Sequence, residues 1–291
     1  MGSRFVFVGN RRFVLEQMIL EGLDLTAVFV VGGTHLERDL NNGLLPKVTN
    51  WIVVGSKAEL LSQLEKNRFD VLVSNGCPYI LPISDLPAAR YVNIHPSFLP
   101  DLRGADPTIG AILLERDTGA TCHVMDAGID TGPIIAQVRI PYSDDLDATT
   151  LYQLSFIAEK RVFSRSLARD FQPAADQEEV PGLIYYSRKG GDRMITFTEP
   201  NDLILRKIRA FNNRSQGCEF VASGGRFRVF SARLMHNPFL AEIVTDFPAL
   251  TVALIYENSI AFHKDGQVMR FDSVQPDGNG AMAIGDRLLS A

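Results

Sequence analysis

The first half of the chain alternates short apolar runs with longer amphipathic segments. Five runs rich in β-branched and aromatic residues predict buried strands, at residues 4–8, 27–31, 51–54, 70–74 and 91–94. Segments 12–21 and 56–66 carry apolar residues at helical spacing, and Ser56 with Glu59 forms a predicted capping box. This order predicts an α/β fold with a doubly wound, Rossmann-like, mostly parallel sheet, whose ligands bind at the carboxyl ends of the strands.

The second half changes pattern at a polar stretch, QPAADQEEVPG, at residues 172–182, which predicts a linker. Before it, Asp106 and Pro107 predict a helix start. Strands are then predicted at 119–125 and 133–141, and a long helix at 147–171. After it, a helix is predicted at 201–211 and strands within 219–234, 250–262 and 267–271. We therefore expect a catalytic domain at 1–180 and a smaller β-rich, OB-like domain at 181–291.

Composition narrows the class of protein. The 291 residues are 46% hydrophobic and 22% charged, which indicates a folded chain with a sizeable core. The net charge of -5 disfavours a nucleic-acid partner. Three scattered cysteines, Cys77, Cys122 and Cys218, argue against a disulfide framework or zinc cluster. The first apolar run is too short for a signal peptide, and no run is long enough to span a membrane, so we expect a cytoplasmic protein.

Two segments carry candidate chemistry. In YVNIHPSFLPDLRGADP, residues 91–107, Asn93 and His95 lie two positions apart at a strand end, so they point to the same side. In GATCHVMDAGIDTGPIIAQ, residues 119–137, a strand breaks into a turn that contains Asp126, Gly128, Asp130 and Gly132. Glycines in such a turn permit close approach of a ligand to the backbone.

An amide, an imidazole and a carboxylate suit acyl transfer to an amine. His95 can accept the amine proton, because histidine has an ordinary pKa of ~6.5. The Asn93 NH2 group or a protonated His95 can stabilise the oxyanion, and Asp130 can orient His95.

Other interpretations stay open at this point. Asn93 and His95 can be packing residues, and Asp126 and Asp130 can cap their own turn. A metal site built from His95, His123 and Asp130 is conceivable, but its spacing matches no zinc signature, so no metal is expected. Neither NAD nor ATP is indicated, because GNRRFVL lacks the further glycines of a dinucleotide loop and no phosphate-binding loop occurs.

The segments NIHPSFLPDLRGADP and HVMDAGIDTGPIIAQ resemble the two signatures of the 10-formyltetrahydrofolate-dependent formyltransferases. The resemblance implies catalytic roles for Asn93, His95 and Asp130, with N10-formyltetrahydrofolate as co-substrate. It also implies a folate site, in which Ile80 and Leu81 suit the ligand slot and core packing equally well. The implied folate-binding residues are Cys77, Pro78, Tyr79, Ile80, Leu81, Asp126, Ala127, Gly128 and Ile129.

Residues 185–220, followed by FRVFSARL, resemble the nucleotide-linked amino-sugar N-formyltransferases within this family. The methionyl-tRNA enzymes typically have a basic residue and a tyrosine where this chain has Asp101 and Leu102. From Asn201 onward the chain has ten basic and nine acidic residues, and this small net charge provides little attraction for tRNA. The expected sugar-nucleotide contacts are Arg103, Arg188, Lys189 and Arg209, although a solvated surface position is an equally good interpretation of each.

The resemblance thus implies transfer of a formyl group to a dTDP-, UDP- or GDP-linked amino-dideoxy sugar, for surface polysaccharides such as the O-antigen of lipopolysaccharide. The expected partner is this small molecule, without nucleic acid or membrane, and a homodimer is expected. The alternatives are a methionyl-tRNA formyltransferase, a hydroxyornithine formyltransferase of siderophore synthesis, and a folate-binding module without catalysis.

Overall fold

The computed structural model describes residues 2–179, 181–213 and 216–290. The chain forms two compact units. The first consists of the chain up to Pro107 together with Asp117–Pro141 and Tyr152–Ser187. The second consists of Thr108–Arg116, Tyr142–Leu151 and the chain from Arg188 onward. The domain boundary predicted between residues 180 and 181 stays a prediction, and two segments that precede it belong to the second unit.

The first unit is built on a seven-stranded sheet with the order β3-β2-β1-β4-β5-β6-β7. The strands are β1 Arg4–Gly9, β2 Asp24–Val31, β3 Trp51–Val54, β4 Val71–Asn75, β5 Arg90–His95, β6 Thr118–Val124 and β7 Ile134–Ile140. Strands β1 to β5 pair in parallel, whereas β6 and β7 are antiparallel to their neighbours. The strand order reverses direction at β1, which confirms the predicted doubly wound, mostly parallel sheet.

Helices follow five of these strands in the chain order, with α5 after the last strand. They are α1 Arg12–Leu20, α2 His35–Asn41, α3 Lys57–Lys66, α4 Pro107–Leu113 and α5 Ala148–Leu167. At α3 the Ser56 hydroxyl accepts the Glu59 N–H at 3.2 Å, as predicted, but the Glu59 carboxylate accepts from Gly55 N–H rather than from Ser56. Helix α2 was not predicted, because its seven residues are mostly polar, although Thr34 as N-cap and Glu37 three residues later form a capping pair.

Both faces of the sheet are buried. On β1, Phe5 and Phe7 join one apolar cluster with α1, while Val6 and Val8 join another with α3. Because side chains alternate across a strand, a strand covered on both sides is apolar at every position. This explains why the sequence shows continuous apolar runs rather than alternation.

The second unit contains two four-stranded sheets, of order β10-β13-β12-β11 and β14-β9-β8-β15. Its elements from Arg188 onward are α6 Asn201–Ala210, β8 Cys218–Ala222, β9 Gly225–Val229, β10 Ser231–Met235, α7 Pro238–Thr245, β11 Leu254–Tyr256, β12 Ser259–Lys264, β13 Gln267–Asp272, β14 Gln275–Pro276 and β15 Leu288–Leu289. All the strand pairs are antiparallel, which confirms the predicted β-rich character. The finer expectation of an OB-like domain stays a prediction.

An aromatic cluster forms the core of this unit. Phe197 contacts the rings of Phe220, Phe262 and Phe271, with centroids 6.0–6.3 Å apart. Such ring pairs contribute beyond the apolar area that they bury. The predicted strand region 250–262 is in fact a hairpin, since β11 and β12 pair across a turn in which Glu257 has a φ of 51°.

A buried ion pair lies beneath the carboxyl ends of β1 and β4. The Arg11 guanidinium binds the carboxylate of Glu159 on α5, whose side chain is fully buried. Asn75 donates its amide N–H to the same carboxylate at 3.2 Å and to the Ile94 carbonyl at 3.1 Å. Burial raises the pKa of Glu159, while Arg11 and Asn75 oppose this effect. A charge in such a position is tolerated only with these partners.

We expect Glu159→Ala to lower the free energy of unfolding by about 3 kcal/mol, because it leaves Arg11 without its counter-ion and the Asn75 amide short of an acceptor. Urea unfolding followed by the fluorescence of Trp51, the single tryptophan, measures this in the first unit. Glu65→Ala on the exposed side of α3 is the matched control and should change the unfolding free energy by less than about 0.5 kcal/mol. Equal effects of the two substitutions would contradict the role of the ion pair.

Candidate active site

A cavity of about 430 Å³ opens at the carboxyl ends of β1, β4 and β5. This is where an open α/β sheet binds its ligands, since the strand order reverses there. Residues from five chain segments line it: Asn10 and Arg11; Ser74 and Gly76–Leu81; Asn93–Pro96 with Gly104, Ala105 and Pro107; His123 with Met125, Asp126 and Gly128–Asp130; and Tyr185. The volume lies in the range of small-molecule sites.

Asn93, His95 and Asp130 meet at the floor of this cavity. The Asn93 Nδ2 atom is 3.2 Å from Asp130 Oδ1, and His95 Nδ1 is 3.5 Å from Asp130 Oδ2. Strand β5 delivers the first two residues, and the turn between β6 and β7 delivers Asp130. The structure therefore brings together the three residues that the sequence singled out, and their catalytic roles stay a prediction.

The hydrogen bonds of His95 decide where its proton is carried. Its Nε2 atom is 3.0 Å from the Leu102 carbonyl oxygen, which can only accept, so Nε2 carries the hydrogen. The Nδ1 atom of the neutral ring is then a base that faces Asp130. Burial lowers the pKa of His95 from its ordinary value, and the Asp130 carboxylate partly opposes this by raising it. His95 is thus an uncharged base at neutral pH.

Asp130 is an ionised carboxylate in a mostly buried position. Burial alone would raise its pKa, but His123, His95 and the Gly104 N–H outweigh burial and hold the Asp130 pKa at about 2. The Gly104 N–H lies 3.3 Å from Asp130 Oδ2. Gly104 has a φ of 108°, and a Cβ atom there would lie 2.6 Å from the Tyr186 carbonyl oxygen. Only glycine therefore lets this loop approach the carboxylate so closely.

His123 is a member of this cluster that the sequence analysis set aside with the metal hypothesis. Its Nδ1 atom donates to the Val124 carbonyl at 2.9 Å, so its Nε2 atom is free to accept from Asn93 Nδ2 at 3.3 Å. The Asn93 NH2 group is thereby shared between His123 and Asp130, both of them acceptors. The predicted donation from this NH2 group to an oxyanion would require release of one of these contacts. No signal in the sequence itself places His123 here, because its position opposite Asn93 comes from the pairing of β5 with β6 in the folded sheet.

The predicted folate-binding residues lie mostly on the cavity wall. Residues 77–81 all line it, with Ile80 exposed and Leu81 buried in the core, and a folate contact for either of these two stays a prediction. Burial raises the pKa of the Cys77 thiol, which makes it a poor nucleophile. Gly128 and Ile129 also line the cavity, whereas Ala127 is exposed and is not a lining residue. Asp126 accepts from Gly128 N–H and Thr131 Oγ1, as a turn cap does.

The four basic residues predicted to contact substrate are placed differently. Arg103 belongs to the first unit, where its guanidinium binds Gln177 at 3.0 Å and Glu179 at 2.9 Å, and it is not a lining residue. Arg188, Lys189 and Arg209 belong to the second unit. The Lys189 backbone N–H donates to Asp192 at 2.8 Å. A substrate contact for any of these residues stays a prediction.

Metal-binding clusters and membrane-spanning helices are both absent from the residues that the structure describes. Across residues 2–179, 181–213 and 216–290, no group of three or more His, Cys, Asp or Glu side chains is arranged to hold a metal ion. In that same part of the chain, no helix combines the length and the apolar character that crossing a bilayer requires.

Family models match two parts of the chain: "Formyl transferase" at residues 53–167 and "Formyl transferase, C-terminal domain" at residues 187–290. A methionyl-tRNA formyltransferase of Janthinobacterium sp. (strain Marseille) is 34% identical over 160 residues, 53% of this chain and 51% of that protein. The chain thus spans about half the length of this relative. A methionyl-tRNA formyltransferase of Variovorax paradoxus (strain S110) is 30% identical over 225 residues, 76% of this chain and 69% of that protein.

Among solved structures, the chain is similar to an N-formyltransferase from Helicobacter canadensis in complex with folinic acid and dTDP-3-aminofucose. The TM-score is 0.69 at 18% identity, over 94% of this chain and 99% of that one. At this identity the likeness shows a shared fold. The doubly wound sheet and its strand-edge cavity define an α/β protein with a small-molecule site of the Rossmann-like class. The two family models and the Variovorax relative identify the family: the chain belongs to the formyltransferases.

We expect the His95 imidazole to titrate below ~6.5 in the resting protein, and lower still in Asp130→Asn. The reason is that the carboxylate favours the imidazolium, so that removing its charge makes His95 harder to protonate. NMR titration of ¹³C-labelled histidine, assigned with His95→Gln, measures this. Asp85→Asn, at an exposed carboxylate, should leave the midpoint unchanged. A midpoint that rises in Asp130→Asn would refute the electrostatic account.

Proposed function

We propose that this protein transfers a formyl group from N10-formyltetrahydrofolate to the amino group of a nucleotide-linked amino-dideoxy sugar. One observation carries the proposal. In a member of the formyltransferase family, Asn93, His95 and Asp130 converge on a cavity at the carboxyl edge of the sheet. These are the groups that acyl transfer to an amine requires, and no covalent intermediate on the protein is needed.

The contacts suggest what each side chain does. The Asn93 amide oxygen, left over when Nδ2 bonds Asp130 and His123, can accept an N–H of the incoming amine and orient it. The His95 Nδ1 atom takes the proton that this nitrogen loses as it bonds the formyl carbon. The resulting imidazolium is stabilised by Asp130 and can donate a hydrogen bond to the negatively charged oxygen. Proton return to the departing nitrogen of the donor restores the neutral ring.

The cavity wall fits a reduced folate. Ile80 and Ile129 line it and are 59% and 41% exposed, so that two large apolar side chains face the space that a flat ring would fill. Apolar walls with a few fixed polar groups are typical of cofactor sites. Residues 77–81 and 126–130 offer backbone groups beside these side chains. The Helicobacter canadensis neighbour, which binds folinic acid, supports this assignment.

The choice of a sugar acceptor rests on two observations. The same neighbour was solved with dTDP-3-aminofucose and shares the fold over 94% of this chain. In addition, the region from Asn201 onward has ten basic and nine acidic residues, which provides little attraction for a polynucleotide. The surface-polysaccharide role, the homodimer and the cytoplasmic location remain predictions.

A second candidate is formylation of methionyl-tRNA, because the relatives that are similar in sequence carry that name. The two candidates share the donor and the chemistry at His95. They differ in the size and charge of the acceptor, so that one assay with both acceptors separates them.

We expect formylated product, detected by mass spectrometry, from at least one of a panel of dTDP-, UDP- and GDP-linked amino sugars. His95→Gln should lower kcat/KM by about 10²–10⁴-fold, because it removes the base. His35→Gln, at an exposed histidine, is the control and should retain wild-type activity. Absence of product from the whole panel would exclude the sugar proposal, and an active His95→Gln enzyme would exclude His95 as the base.

Charged initiator tRNA should be a poor acceptor for the wild-type enzyme at physiological salt. If tRNA is the true acceptor, kcat/KM for tRNA should be high and should fall steeply between about 50 and 200 mM salt, since phosphate contacts release counterions. Kinetics at several salt concentrations make this measurement, with the nucleotide-linked amino sugar, a small anion rather than a polyanion, as the comparison. Efficient, salt-sensitive tRNA formylation would replace the sugar proposal with the tRNA one.

A further inference from the structure

A segment predicted as a linker crosses the active-site loops. Residues 172–179 and 181–187, called the strap below, bond with the turn that follows Asp130 and with the loop that follows His95. Ala174 N–H donates to the Ile134 carbonyl at 2.7 Å. Ten residues later, Arg103 N–H donates to the Ile184 carbonyl at 3.1 Å. The strap therefore connects the loop that follows His95 with the start of β7, close to the turn that carries Asp130.

The Gln177 side chain of the strap forms hydrogen bonds with the turn that carries Asp130. Its Nε2 atom donates to the Asp130 carbonyl at 2.9 Å and to the Gly132 carbonyl at 2.7 Å. Its Oε1 atom accepts from Arg103 Nη2 at 3.0 Å. Because Arg103 can only donate, it fixes the amide so that both N–H groups point at the turn. Gln177 does not line the cavity and so is not placed to touch a ligand.

The turn needs such a restraint. Asp130 has a φ of 57°, in the left-handed region that residues with a Cβ atom rarely adopt. A conformation of this kind persists only where its surroundings enforce it. The Gln177 bonds hold the backbone carbonyls on either side of Thr131, and hence the direction in which the Asp130 side chain leaves the turn. That direction places the carboxylate beside His95 Nδ1 and Asn93 Nδ2.

We propose that Gln177 is a positioning residue of the active site, which holds the Asp130 backbone so that its carboxylate supports the protonation of His95. The kinetic part of this inference rests on the proposed formyl transfer, whereas the geometric part does not. Loss of the two N–H donors would let the turn relax and the carboxylate withdraw. His95 would then lose the charge that favours its imidazolium.

The test replaces Gln177 with methionine, which has similar length and no donor. The His95 midpoint is measured by NMR titration of the resting protein, as for Asp130→Asn. We expect Gln177→Met to lower this midpoint, in the same direction as Asp130→Asn and by less. Gln172→Met is the matched control, because Gln172 is an exposed glutamine of the same strap, and it should titrate as wild type. Gln177→Asn, whose amide is one methylene shorter, serves in place of Gln177→Met if the latter does not fold.

Kinetics supply the second measurement. With an accepted substrate, kcat of Gln177→Met should fall about 10- to 100-fold, as expected for a misplaced catalytic group, while KM for donor and acceptor stays near its wild-type value. A side chain that merely fastens the strap would lower thermal stability without changing the His95 midpoint. An unchanged midpoint in Gln177→Met, or a loss expressed in KM alone, overturns the proposal.

The two hypotheses fail in different ways. If the wild-type protein formylates none of the acceptors, the proposed function is wrong, and the NMR titration still decides the role of Gln177. If the wild type is active and the His95 titration midpoint is unchanged in Gln177→Met, the positioning role is wrong and the proposed function stands.

Discussion

The site depends on one buried negative charge, the carboxylate of Asp130. A charge removed from water is stable only with hydrogen bonds and opposite charges around it. Here the Asn93 and Gly104 N–H groups supply the hydrogen bonds, while His95 and His123 lie 3.5 Å from the carboxylate and become opposite charges when protonated. The same contacts that stabilise the carboxylate orient the amide and the imidazole. The contacts that stabilise the Asp130 charge are therefore also the contacts that order the side chains of the candidate site.

The fold supplies that cluster through its strand ends. Parallel strand β5 delivers Asn93 and His95 to the carboxyl edge, and antiparallel β6 returns along it to bring His123 opposite Asn93. The strap then holds the Asp130 turn from its outer side. The left-handed φ of Asp130 is thus maintained by hydrogen bonds from Gln177, a residue that does not line the cavity. The geometry of this cluster thus depends on several segments of the first unit rather than on two short motifs.

The relatives found by sequence and the neighbour found by structure differ in the acceptor or ligand that their names give. The relatives similar in sequence are methionyl-tRNA formyltransferases, while the Helicobacter canadensis neighbour carries a nucleotide sugar. Both names describe formyl transfer, so the cluster around His95 does not by itself discriminate between the acceptors. Discrimination depends on surfaces that meet the acceptor, where charge and shape differ. For this reason the near balance of charge from Asn201 onward bears more on the acceptor than the catalytic residues do.

The sequence by itself determined the doubly wound sheet, the approximate strands and helices, and the pairing of Asn93 with His95, because these follow from local periodicity and from the geometry of an extended chain. Tertiary structure alone decided the rest. It placed His123 in the cluster, used both N–H groups of Asn93 and turned a predicted linker into the strap that carries Gln177. Contacts between residues 30 to 80 positions apart leave no periodic signal in a single sequence. They arise only when the packed sheet brings its loops to one edge.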